Sequence, residues 1–100
     1  MGATKRIKPR HLAEKLKRIR VGLGLTLDEL AEKLSNPDIT LYRGTIHNYE
    51  GGDREPPLPV LLNYARLANV YLEALVDDEI DLPEKIPSPQ KSEGVKLRAS

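Results

Sequence analysis

The sequence predicts an all-α fold, a compact bundle of five short helices with flexible tails at both ends. Three observations carry that expectation. From Leu12 to Leu82, apolar residues recur at spacings of three and four. Clusters of Gly, Pro, Asn, Asp and Ser cut this pattern into helix-sized pieces. No stretch alternates apolar and polar residues with strand-forming composition, and no segment repeats.

Pro9 suits the first position of a helix, because its fixed φ fits and its missing N–H would have no partner there. After it, Leu12, Ala13, Leu16, Ile19 and Leu23 share one face of a first helix that ends near Gly22 or Gly24. Thr26 is placed to cap the second helix, and Glu29 three residues later completes a capping box. That helix runs from about Leu27 to Leu34, with Leu27, Leu30, Ala31 and Leu34 on its apolar side. Ser35, Asn36, Pro37 and Asp38 break it. Thr40 is a candidate cap for a third helix that carries Tyr42 to Tyr49 and stops at Gly51 and Gly52. It offers Arg43, Thr45, His47 and Asn48 around one inward Ile46. Pro56, Pro57 and Pro59 make a stiff connector to a fourth helix, whose apolar side is Leu58, Leu61, Leu62, Ala65, Leu67 and Ala68 and which ends at Asn69 or Val70. A last short helix, Tyr71 to Val76, adds Leu72, Leu75 and Val76 to the core.

One hundred residues with a single contiguous apolar pattern make one domain. We expect it to occupy residues 9–82, between a basic arm at 1–8 and a disordered tail at 83–100 whose composition is proline-containing and aperiodic. Phe and Trp are absent, so the core is aliphatic with some Tyr, and Tyr49, Tyr64 and Tyr71 are expected to keep their hydroxyls at the surface. With no cysteine and two histidines, neither a disulfide framework nor a metal or other cofactor site is expected, and His11 reads as a solvated or capping residue. No apolar run reaches the roughly 18 residues that span a bilayer, so no membrane role and a cytoplasmic location are expected.

The formal charge of +1 hides an asymmetry: residues 1–20 hold eight Lys or Arg against one Glu, and the remainder hold eight against fourteen acids. On that linear view a polyanion would meet the N-terminal part and avoid the C-terminal part.

The segments KRIRVGLGLTLDELAEKL, TIHNYEGG and PLPVLLNYARLANVYLEALVDD, in that order and spacing, resemble the phage-repressor-like helix-turn-helix domain of the XRE family. The resemblance covers about Leu12 to Asp78 and implies a lambda-repressor-like bundle that binds double-stranded DNA, with the third helix, about 41–50, in the major groove. It implies base contacts from Arg43, Gly44, His47 and Asn48. Arginine can donate two hydrogen bonds to guanine, and asparagine can bond adenine, each worth ~1–3 kcal/mol of discrimination. Backbone contacts would come from Thr26, Tyr42, Thr45, Gly51, Gly52 and Arg54. The arm residues Lys5, Arg6, Lys8 and Arg10 either follow the duplex backbone or enter a minor groove, or else act as a solubilising tail. Arg20 and Glu50 fall where the family carries a structural ion pair between the first and third helices.

Two departures from the family pattern stand out. Leu27 occupies a position that is often glutamine and cannot reach phosphate. SNPDITLYRG holds about five residues more than the usual connection, so either the extra residues bulge outward or the third helix starts earlier. The resemblance implies a transcriptional repressor acting as a homodimer, with Leu75, Val76, Ile80 and Leu82 as a candidate dimer contact rimmed by the acids from Asp77 to Asp81. The alternative is an interaction module or antitoxin-like protein that keeps the fold, binds DNA weakly or not at all, and meets a protein partner at its C-terminal segment. An enzyme is not expected: no nucleophile has a base and an orienting group at plausible spacing, and Thr45, His47 and Glu50 diverge on a helix.

Overall fold

A computed structural model describes residues 9–97 of the chain. Five helices, α1 (Leu12–Leu23), α2 (Leu27–Leu34), α3 (Arg43–Gly51), α4 (Leu58–Ala68) and α5 (Glu73–Val76), precede two short strands, β1 (Ile80–Asp81) and β2 (Val95–Lys96). The strands pair antiparallel, Ile80 opposite Lys96 and Asp81 opposite Val95. Helix α1 packs against α3, α4 and α5, while α2 packs against α3 and α4. Their shared interior encloses Leu16, Ile19, Leu30, Leu34, Ile46, Val60, Tyr64 and Leu75 completely.

Local chemistry explains where each helix begins and stops. α1 ends because Gly24 enters the left-handed region at φ 70°, where its N–H reaches the carbonyls of Arg20 and Val21. α2 starts at a complete capping box: the Glu29 N–H donates to Thr26 Oγ1 at 3.1 Å, and the Thr26 N–H donates to Glu29 Oε1 at 2.8 Å. α4 ends at Asn69, which adopts the left-handed conformation at φ 58°.

The long connection between α2 and α3 folds into a miniature hairpin. Asn36 and Ile39 exchange both backbone hydrogen bonds, at 2.8 and 3.1 Å. The Asn36 side chain also accepts from the N–H groups of Asp38 and Ile39. Ser35 Oγ accepts from the Leu41 N–H at 2.8 Å, which closes the base of the loop. Residues 35–41 are therefore committed to extended and turn conformations, and α3 begins only at Arg43 with Tyr42 in the capping position. Thr40 does not cap it.

Five expectations need correction. Two short strands exist, because β1 gains backbone partners from a chain segment far away in sequence. That segment is the second correction: residues 83–97 form a strap instead of a disordered tail. The Ser88 N–H donates to the Ala68 carbonyl, Asn69 Nδ2 to the Ser88 carbonyl, and the Tyr71 N–H to the Ser92 carbonyl. The strap answers polar groups that helix ends leave open. Ile86 packs so closely on α1 that a Cβ at Gly22 would lie 2.7 Å from its own Cβ. Third, Leu75, Ile80 and Leu82 are buried in the core and Val76 is half-buried, so this set offers no free apolar face for a dimer. Fourth, Tyr64 is fully enclosed, hydroxyl included. The last helix is also shorter than expected, since α5 starts at Glu73 and not at Tyr71.

Candidate nucleic-acid interface

Helix α3 turns Ile46 and Tyr49 into the core. With 3.6 residues per turn, Arg43 and His47 then share the opposite side, and both are exposed, as is Gly44 between them. Asn48 and Thr45 flank this strip and are half-buried, and Tyr42 precedes it with 68 % of its surface exposed. Arg43, Gly44, His47 and Asn48 thus form one hydrogen-bonding strip on the outer side of a short helix.

The helix is held from behind. Arg20 Nε donates to Glu50 Oε2 at 2.7 Å, Nη2 donates to Glu50 Oε1 at 3.0 Å, and Nη1 donates to the Leu25 carbonyl at 3.0 Å. One guanidinium therefore ties α1, the loop before α2 and the end of α3 together. The Glu50 side chain keeps only 7 % of its surface exposed, and hydrogen bonding to Glu50 raises the Arg20 pKa above its ordinary value. Below this pair lies Tyr64, whose hydroxyl has no hydrogen-bond partner among the described residues and whose pKa is raised by burial.

Arg43 has company that the sequence did not announce. Its Nη1 lies 3.5 Å from Asp28 Oδ2, with both side chains about two-thirds exposed at 67 and 68 %. Asp28 sits in the first turn of α2, beside the capping box. No sequence signal marks it, because its role depends on the starts of α2 and α3 lying side by side.

The expected phosphate anchors fare unevenly. At α2 the Thr26 N–H and Glu29 N–H are both engaged in the capping box. Leu27 packs partly against the core. After α3, Gly52 adopts φ 81° and its N–H donates to the Tyr49 carbonyl, while the Asp53 and Arg54 N–H groups donate to the Asn48 carbonyl. The Gly52 amide is thus committed to closing the helix and is not a free anion donor. Gly51 is the last helical residue, and the Arg54 side chain remains exposed. Lys5, Arg6 and Lys8 lie outside the described residues.

The basic face of α1 is largely answered from within. Lys15 is 3 % exposed, and its Nζ donates to the carbonyls of Asp77 at 2.9 Å and Ile80 at 2.6 Å. Burial lowers its pKa, against the pull of Asp78, Asp81 and Asp77. Arg18 Nη1 meets Asp81 Oδ1 at 2.7 Å. Asp78 accepts the backbone N–H groups of Arg10 and His11 at 2.9 and 3.1 Å, capping α1 from outside its own chain segment. Among the described residues the acidic segment thus folds onto α1, where it engages Lys15 and Arg18.

Glu50 is taken up by Arg20 while His47 faces solvent, so Thr45, His47 and Glu50 do not converge. Among the described residues no three His, Cys, Asp or Glu side chains lie close enough to hold a metal ion, and no helix is long and apolar enough to cross a membrane. A family model described as a helix-turn-helix domain matches residues 13–79, from α1 through the turn after α5. No curated protein and no solved structure matches the chain.

Proposed function

The chain belongs to the helix-turn-helix domain family, and from that premise we propose that it is a transcriptional regulator, a repressor that reads a specific site in double-stranded DNA. The observation that carries this is the strip of exposed Arg43, Gly44 and His47 with half-buried Asn48 at its edge, on a helix whose other side is anchored by Ile46, Tyr49 and the Arg20–Glu50 pair. Base readout needs donors and acceptors on an element that enters the major groove without yielding. Arg43 is assigned to guanine and Asn48 to adenine, with His47 donating to guanine or phosphate. Tyr42, Thr45 and Arg54 are assigned to the duplex backbone, together with Lys5, Arg6 and Lys8 of the arm. Binding as a homodimer on a two-fold-symmetric operator is part of the proposal, through a surface other than Leu75, Ile80 and Leu82.

Selection from a randomised duplex pool at physiological salt tests it, since non-specific Kd values of about 10⁻⁴–10⁻⁶ M fall away there. Enrichment of one motif, above all an inverted repeat, is the expected result. Recovery of unenriched duplex would sink it. A second reading, an interaction module that keeps the fold and meets a protein partner, is favoured by Asp28 beside Arg43 and by the internally engaged Thr26 and Gly52 amides. Alanine at Arg43 and Asn48 separates the two: a DNA reader loses base preference, whereas an interaction module keeps its partner.

A further inference from the structure

We infer that Asp28 is a positioning residue for Arg43, one that sharpens the choice of a single base pair while weakening attraction to duplex in general. This rests on the DNA-reading role proposed above. Arg43 opens α3 and projects into solvent, and an unrestrained arginine there samples many rotamers. Asp28 limits that freedom, because its carboxylate lies 3.5 Å from Nη1 of Arg43. The backbone that carries the acid is fixed, since Asp28 stands in the first turn of α2 between Thr26 and Glu29, whose capping box locks the start of the helix. Among the described residues, Asp28 is the acid that pairs with Arg43.

The geometry leaves the useful part of the guanidinium open. A guanidinium has five N–H donors in a fixed plane. With Nη1 turned toward Asp28, the edge formed by Nε and Nη2 is available, and two adjacent donors match the O6 and N7 acceptors of guanine. A base pair without those acceptors leaves Arg43 with Asp28 alone, so the carboxylate helps the correct contact without helping a wrong one.

The same carboxylate carries a cost that makes the idea testable. A negative charge at the DNA-facing end of α2 repels any phosphate within a Debye length of about 8 Å. Asp28 therefore acts with two signs: it lowers affinity for every duplex and raises discrimination at one position. An acid that merely stabilises the helix terminus would do neither, and an acid that merely repels phosphate would do only the first.

The experiment uses the full chain, the duplex enriched from the random pool, and a set of duplexes carrying each single base-pair change. Kd is measured for wild type, D28N, R43A and the double variant, with D28S as a second substitution should D28N fold poorly. D28N is expected to bind unrelated duplex more tightly, by a few-fold, and to lose roughly five-fold or more of its preference at the base pair that R43A also stops reading. In the R43A background, D28N should change that preference no further. The inference is overturned if D28N keeps full preference, or if it lowers preference at a base pair that Arg43 does not read. A wild-type protein that enriches no motif would overturn the DNA-reading role itself, an outcome distinct from either of these.

Discussion

Arg20 shows how one side chain sets the pose of a helix. Its partner Glu50 is almost out of water, and the guanidinium meets both of its carboxylate oxygens. Replacing Arg20 with alanine strands that carboxylate, and R20A should lose about 3 kcal/mol of unfolding free energy in urea titrations at neutral pH. R20K should recover only part of the loss, because an ammonium cannot make the paired contact. Tyr64 poses the opposite case. Its hydroxyl is enclosed without a partner among the described residues, so Y64F removes a desolvated group and should be neutral or stabilising by up to about 1 kcal/mol. A clear destabilisation in the same titration would show that the hydroxyl is bonded. Inward Ile46 could be named from spacing, since a helix places its residues by count, and the Arg20–Glu50 pair could be named only from the family resemblance. Asp28 and Tyr64 could not, because their surroundings are made by a neighbouring helix.

Among the elements, the helices and their caps were readable in the sequence because both depend on residues within a turn of each other. α2 illustrates this, from Thr26 to Leu34. The start of α3 was not, since Thr40 is as good a cap by type as any residue there. What excludes it is the hairpin of Asn36 and Ile39 and the closure of Ser35 on Leu41. The strap was missed for a related reason: residues 83–97 carry no periodicity, and their order comes from backbone groups at Ala68, Asn69, Tyr71 and Glu79. A chain ending at Leu82 loses those hydrogen bonds and the cover over Gly22 and Val70, and should unfold with at least about 2 kcal/mol less stability. An unchanged urea midpoint for the shortened chain would show that the strap lies on the body without supporting it.

Charge is organised at the scale of the whole molecule. Asp77, Asp78 and Asp81 fold onto Arg10, His11, Lys15 and Arg18, joining the start of the domain to its last helix. Backbone hydrogen bonds from Arg10 and His11 hold the Asp78 pKa below its ordinary value. A carboxyl group with a depressed folded pKa contributes stability that is fully present above its unfolded pKa, about 3.9, and is lost as pH falls through the folded value. D78A should therefore melt below wild type at neutral pH, with the difference closing in acid, as thermal midpoints taken from about pH 2 to pH 7 would show. A constant gap at every pH would mean that Asp78 acts through packing and not through its charge.

What the sequence determined alone is the helical class, the end of α1, the limits of α2 and α4, and the outward strip of α3, all of which follow from periodicity and caps acting over a few residues; α1 itself starts at Leu12 and not at Pro9. Tertiary structure decided which charges are answered, which apolar residues are core, and where the C-terminal segment lies. Ile80 and Leu82 read as a candidate contact surface, and Leu75 as both core and contact, whereas all three are buried in the fold, and Arg43 reads as free until α2 brings Asp28 beside it. The physical reason is range: hydrogen bonds and apolar packing between distant segments depend on coordinates that no local pattern specifies.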